Sequence, residues 1–344
     1  MGAKHNLKHQ GPNRPPPDPE LYPNYISNRQ GIWLHWRSWY PAPNITPRGV
    51  VVLQHGLAEH ACRYEGTALW LNSNGFIVFL MEHQGHGNSE GDRAHVEFFD
   101  DYVDDQELFV RNVVKVQPGV DNMPMVLLGH SMGGLIAASL AFRTKEIWTC
   151  VVLSGPALMP DPATATPFLK KMANTLSNAT PKLGLSKLDT KLIATNKQVV
   201  EFYEQDPAIP RGPLKARWAS EMMKGMDAAM SKAPTFTSPL LIVHGEDDKI
   251  CTQEGSKQFL AKAGSVDKKA IFYPGLKHEI LNEVKEGRDK VKADIMEFID
   301  RVLAGSPCST VKAGVSSVEP TFVSEKPVDE GASPAGGDAQ AQEA

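Results

Sequence analysis

Met125-Val126-Leu127-Leu128-Gly129-His130-Ser131-Met132-Gly133-Gly134 is the stretch on which the fold turns. Four apolar residues ending at a glycine read as a short strand buried on both faces, and Gly134–Arg143 reads as the helix that follows at once. Between them lies G-x-S-x-G, a sharp strand-to-helix elbow that leaves one serine hydroxyl exposed. The glycines permit the turn and a close backbone approach. The helix N-terminus, with Met132 N–H, faces any negative charge that develops there. A glycine-rich turn whose serine only caps the helix would share the pentapeptide. The flanking strand and helix favour Ser131 as a nucleophile.

A serine nucleophile needs a base, and the base needs an acid to orient it. On an elbow of this kind the chain order is serine, acid, histidine, each on a loop after a strand. The apolar run Pro239–His244 ends in Gly245-Glu246-Asp247-Asp248, and the next, Lys269–Tyr273, is followed by Gly275-Leu276-Lys277-His278. His278 is the only histidine after His244, so the base is expected there. The acid lies among Glu246, Asp247 and Asp248, three carboxylates on one loop. An early run, Val50–Leu53, leads into Gln54-His55-Gly56-Leu57, where Leu57 N–H is the expected second oxyanion donor and His55 a brace. Glu82-His83-Gln84-Gly85-His86-Gly87 also follows a strand and reads as a braced turn rather than a catalytic one.

Outward from the elbow, the pattern repeats. Apolar runs at Phe76–Met81, Cys150–Leu153, Leu240–Val243 and Ala270–Tyr273, with an aromatic strand at Ile32–Trp39, alternate with helix-period stretches. The last helix carries Val291, Ile295, Phe298 or Ile299, and Val302 on one stripe. Alternation of this kind implies an α/β fold, a mainly parallel sheet flanked by helices. Pro156–Pro239 breaks the rhythm, with helical patterns and prolines but no convincing strand, and reads as an inserted helical cap above the carboxyl ends of the strands. The expected divisions are a Pro-rich N-terminus over 1–25 and a core over 26–155 and 240–304. The cap covers 156–239, and a low-complexity tail lacking large apolar residues covers 305–344. Both ends are expected to be disordered.

Composition narrows the function. Of 344 residues 41% are hydrophobic, enough for a sizeable core, and the net charge of −4 offers no general attraction for nucleic acid. The four cysteines, Cys62, Cys150, Cys251 and Cys308, have no metal-ligand spacing and argue for a reducing compartment. No apolar run approaches the ~20 residues of a membrane span, and Met1–Pro23 has no signal-peptide core. The reading is a cytoplasmic protein needing neither metal nor cofactor.

Taken together the motifs resemble those of the monoacylglycerol lipases. His55-Gly-Leu-Ala-Glu-His60 with Arg63-Tyr64, His83–Gly91, Leu128–Gly134, Val200–Pro207, His244–Cys251 and Tyr273–His278 carry the resemblance, which spans about Ile26 to Val302. It implies the α/β-hydrolase fold with an inserted helical cap and, through the family's H-G-x-x-D pattern, Asp248 as the orienting acid. It also implies hydrolysis of monoacylglycerols through an acyl-enzyme. Cys251 matches a cysteine that some members carry beside the site, here expected to be a buried bystander. Leu57, Ala58 and Glu82 depart from the residues usual in the family, which bears on the shape of the acyl pocket near the oxyanion.

The expected catalytic set is therefore Ser131, Asp248 and His278, with Leu57 and Met132 N–H groups as oxyanion donors. In the cap, Trp218, Met222, Met226 and Met230 form an i, i+4 ladder, either core packing or a pliable wall for a flexible acyl chain. Trp218, Met222 and Met226 are the candidate substrate contacts. The basic amphipathic stretch Thr166–Leu176, with Phe168, Leu169, Met172 and Leu176 opposite Lys170 and Lys171, is expected to touch membranes transiently. A lysophospholipase or broad carboxylesterase would use the same triad. An aminopeptidase would want an acidic group for the substrate amine, which the sequence does not locate, and a binding module would be expected to have lost a triad member.

Overall fold

The computed structural model describes residues 15–160 and 175–305 and the backbone of 322–324. Its strands are β1 (Tyr25–Ser27), β2 (Trp33–Trp39), β3 (Gly49–Gln54), β4 (Phe76–Met81), β5 (Met125–His130), β6 (Cys150–Ser154), β7 (Leu240–Gly245), β8 (Lys268–Tyr273) and β9 (Phe322–Ser324). They form one sheet in the order β1-β2-β4-β3-β5-β6-β7-β8-β9. The β1–β2 and β2–β4 pairs are antiparallel and every other pair is parallel.

Why these runs make a two-faced sheet is visible in their alternation. Val50 and Val52 of β3, Leu127 of β5, Val151 and Leu153 of β6 and Ile242 of β7 belong to one core. Their chain neighbours Val51, Leu53, Val126, Leu128, Val152, Leu241 and Val243 belong to the other. Successive side chains of a strand point to opposite faces, so a run with no polar residue is what a doubly covered strand requires. Helices α2 (Phe99–Phe109), α3 (Met132–Arg143) and α6 (Gln253–Lys262) supply the first core. Helices α1 (Glu65–Ser73) and α7 (Lys285–Leu303) supply the second, and of the expected stripe of α7, Val291, Ile295, Phe298 and Ile299 are buried and Val302 is half-buried. The chain turns back between β3 and β5, which are paired although β4 separates them in sequence. Open α/β sheets bind ligands at such a switch point.

Between β6 and β7 the chain leaves the sheet. Its described part contains α4 (Lys197–Gln205), α5 (Ala216–Lys232) and a helical turn at 175–179, and among the described residues its only β pairing is an isolated bridge between Gly184 and Lys215. Helix α5 lies against α2 and α3. Of the stretch Thr166–Leu176, residues 166–174 lie outside the described residues, so Phe168, Leu169, Lys170, Lys171 and Met172 are not placed.

Two departures concern the ends. Tyr22, inside the N-terminal stretch expected to lack structure, packs edge-on against Trp33 with ring centroids 5.1 Å apart. Within the tail, Phe322–Ser324 is not disordered as composition suggested but a strand, pairing in parallel with β8. Composition counts the apolar residues needed for a core. It does not register three residues that complete an existing sheet edge. No helix among the described residues is long and apolar enough to cross a membrane.

Candidate active site

The elbow is strained and firmly held. Ser131 adopts φ 55° and ψ −122°, a left-handed backbone that a residue with a Cβ enters at a cost of about 1–3 kcal/mol. Its N–H donates to Ser154 C=O at 3.0 Å, and its C=O accepts from Gly134 N–H at 2.9 Å and Ala157 N–H at 3.0 Å. The flanking glycines are there for space. A Cβ on Gly129 would lie 2.3 Å from Gly133 O, and one on Gly133 2.3 Å from Gln54 O. The elbow thus presses against the end of β3, which brings Ser131 beside the loop that starts at His55.

Of the three carboxylates after β7, the structure brings Asp248 to the histidine. Its Oδ2 lies 2.7 Å from His278 Nδ1, while Asp247 is exposed and Glu246 half-buried. Oδ1 accepts from the N–H groups of Ile250 (2.8 Å) and Cys251 (3.0 Å), and His244 Nε2 stands 3.1 Å from Oδ2. Burial opposes ionisation of Asp248, but His278 and His244 outweigh it and hold the carboxyl far below the usual range. For His278, burial opposes the imidazolium and the charge and hydrogen bond of Asp248 outweigh that, so its pKa is raised above 6.5.

Ser131 and His278 line one cavity of about 170 Å³. Leu57 and Met132 border it beside Ser131, and Trp218, Met222 and Met226 of α5 form an apolar wall with Leu188, Ile193, Leu214 and Ile250. Met132 is the first residue of α3, where an N–H has no partner within the helix. Met230, the fourth rung of the ladder, packs on the core and, among the described residues, is not one of those bordering the cavity. Cys251 Sγ lies 3.9 Å from Ser131 Oγ, and burial pushes its thiol well up, so it stays protonated. A second, larger cavity of about 330 Å³ shares Leu57, Leu188, Tyr203 and Leu214 with the first, and the exposed Lys187 and Arg211 are among its lining residues. The inner cavity alone falls short of the roughly 300–1,000 Å³ typical of ligand pockets, and the outer one brings the space within that range.

The polar side of the inner cavity was not read from the sequence. Glu59 and Glu279 border it, and Arg63 lies between them. Arg63 Nη2 donates to both oxygens of Glu279 at 2.7 Å, and its Nε approaches Glu59 Oε1 at 3.3 Å. Glu59 Oε2 also accepts from Tyr64 O–H and Gly56 N–H. Burial pushes the Glu59 carboxyl up, but His130, Arg63 and Tyr64 bring it down to about 2, whereas burial and the Glu59 charge raise Glu279. The i, i+4 spacing of Glu59 and Arg63 was visible. Their meeting with Glu279 needed the tertiary fold. Both carboxylates are paired with Arg63, which leaves them as hydrogen-bond acceptors on the cavity's polar side.

Comparison with known proteins agrees with this architecture. The family model described as Hydrolase_4 (serine aminopeptidase, S33) matches residues 45–285. A monoacylglycerol lipase of Mycolicibacterium smegmatis is 34% identical over 74% of this chain and 89% of its own length. The human monoglyceride lipase is 32% identical over 80% of this chain and 90% of its own. The crystal structure of a soluble variant of monoglyceride lipase from Saccharomyces cerevisiae, in complex with a substrate analogue, superposes with a TM-score of 0.72 at 25% identity, covering 87% of this chain and 99% of that one. The chain belongs to the Hydrolase_4 family, and within it to the monoacylglycerol lipases, carboxylic-ester hydrolases of the α/β-hydrolase fold.

Proposed function

We propose that this chain hydrolyses monoacylglycerols to fatty acid and glycerol. The observation that carries the reading is a cavity with two characters around one serine: the apolar wall Trp218, Met222 and Met226 on one side, and Glu59 and Glu279 on the other. A single acyl chain suits the first and a small polyol the second. In this mechanism His278, oriented through Nδ1 by Asp248, takes the Ser131 proton as Oγ attacks the ester carbonyl. Leu57 and Met132 N–H groups receive the oxyanion. His278 returns the proton to the departing glycerol, and water then releases the fatty acid by the same route.

The cap is proposed to touch the lipid surface from which the substrate comes. Besides the sequence of 166–176, the reading draws on Leu183 and Leu185, which are exposed between Lys182 and Lys187, with Leu185 bonded through its N–H to Leu214 of the outer cavity. The test of substrate is one preparation assayed against monoacylglycerols, diacylglycerols, triacylglycerols, lysophosphatidylcholine and aminoacyl amides. Monoacylglycerol should give the highest kcat/KM. Equal kcat/KM on lysophosphatidylcholine or triacylglycerol would leave only an esterase.

A further inference from the structure

We infer that His55, locked in one tautomer by the backbone N–H of His83 within a hydrogen-bond relay that also holds the His83 ring on Gln106, positions the oxyanion loop. This rests on the proposal that Leu57 N–H is an oxyanion donor. The relay also gives a role to the Glu82–Gly87 motif, which the reaction itself does not use.

The protons can be assigned from partners that allow only one role. His83 N–H meets His55 Nε2 at 2.9 Å. A backbone N–H can only donate, so Nε2 is bare and the ring proton of neutral His55 sits on Nδ1. That N–H then donates to Gly56 C=O at 2.8 Å. The His83 ring is fixed in the opposite sense. Gln106 Nε2 lies 3.1 Å from His83 Nδ1, and His83 Nε2 faces His55 C=O at 3.2 Å, an acceptor only, so it carries the proton. Gln106 is itself oriented, since its Oε1 accepts from Gln54 Nε2 at 2.9 Å and its Nε2 reaches Met81 C=O at 3.3 Å. Both histidines are fully buried, which holds them below the ordinary histidine range and keeps them neutral.

The consequence falls on one peptide plane. Gly56 C=O and Leu57 N–H belong to the same planar, trans unit and point in opposite directions. Holding the carbonyl on His55 therefore fixes where the N–H aims. From the other side Gly56 N–H donates to Glu59 Oε2 at 2.6 Å, so the residue is gripped at both polar groups. The grip has something to hold, because Ala58 sits at φ 56°, a left-handed conformation costly for a residue with a Cβ.

Two exchanges at one position separate positioning from packing. His55→Asn puts an amide nitrogen where Nδ1 was and retains the donor to Gly56, whereas His55→Leu removes it. On a soluble short-chain p-nitrophenyl ester, His55→Leu should lose about 10²-fold in kcat, the scale of a lost oxyanion donor, with KM little changed. His55→Asn should recover most of that loss. Imidazole ¹⁵N spectra of the wild type should show His55 protonated on Nδ1 and His83 on Nε2. Equal losses in both variants, a loss confined to KM, or the reverse tautomers would overturn the inference. The short ester makes the result independent of whether glycerol is the natural leaving group. Leu57→Pro, which deletes the N–H itself, isolates the underlying reading. Intact kcat there would overturn both, while a loss there beside wild-type kcat in His55→Leu would overturn the clamp alone.

Discussion

Asp248 stands between two histidines and two backbone N–H groups, and the neutral form of His278 is what the proposed mechanism requires. Because Asp248 raises the His278 pKa above 6.5, the acidic limb of kcat/KM should fall at a pH above that value. Activity is lost as pH drops through the limb. Asp248→Asn removes the charge, so the limb should move to lower pH while kcat falls by several powers of ten, up to about 10⁴-fold. Asp247→Asn, on an exposed residue of the same loop, should change kcat less than about threefold. A crippled Asp247→Asn beside an active Asp248→Asn would reject the assignment, and pH–rate profiles of the three proteins decide it. At this scale the sequence was legible where chemistry is local. The elbow glycines marked the turn at Ser131, and the one late histidine, His278, is the one that meets the loop after β7. Asp248 could be chosen from its neighbours only through the family resemblance, because what separates it from Asp247 is burial, which the row of three carboxylates does not express. Glu279 is adjacent to His278 in sequence, yet its partnership with Arg63 crosses 216 positions and left no local trace.

Helix α5 shows what periodicity can and cannot decide. The i, i+4 ladder marked one face, but core packing and cavity lining place the same residues on the same stripe. Trp218 and Met222 serve both, belonging to the main core and bordering the cavity with Ser131, whereas Met230 packs on the core and is not among the described residues bordering that cavity. Enlarging a cavity-lining rung that is only half-buried should shorten the space for an acyl chain without emptying the core. Met226→Trp should therefore lower kcat/KM for a long-chain monoacylglycerol relative to a short-chain ester by about tenfold or more, the size of effect a few lost apolar contacts produce. If both substrates lost equally, Met226 would not bound the chain. The strands were the most readable elements, because a sheet covered on both faces demands unbroken apolar runs. Tyr25–Ser27 and Phe322–Ser324 were not read, since three residues at a sheet edge are too few for a period to show.

Across the whole molecule, Arg63 joins parts that the sheet alone leaves separate. It contacts Glu59 of the loop after β3, Glu279 beside His278, and the ring of Tyr203 in α4 at 4.8 Å. A second tie, His60 Nε2 to Asp206 Oδ2 at 2.7 Å, links the same loop to the insertion. Burial opposes the charge on His60, but Cys62 and Asp206 raise it to about 9. One guanidinium serving two buried carboxylates makes a pH-dependent prediction with a definite sign. In Arg63→Met the two carboxyls remain buried with no countercharge, a situation that costs about 3–5 kcal/mol when a buried pair is broken, and Tm should fall by several degrees at pH 8. Their folded pKa values should then rise above the unfolded carboxyl value of about 4.3. A group raised on folding binds its proton more tightly in the native state, so its stabilising effect is complete below the unfolded pKa and lost as pH rises through the folded one. The Tm difference between wild type and Arg63→Met should accordingly narrow as pH falls from 8 to 5. Melting curves at four or five pH values measure it. A difference that stays constant or widens toward pH 5 would mean that Arg63 acts through packing against Tyr203 and not through the charges it holds.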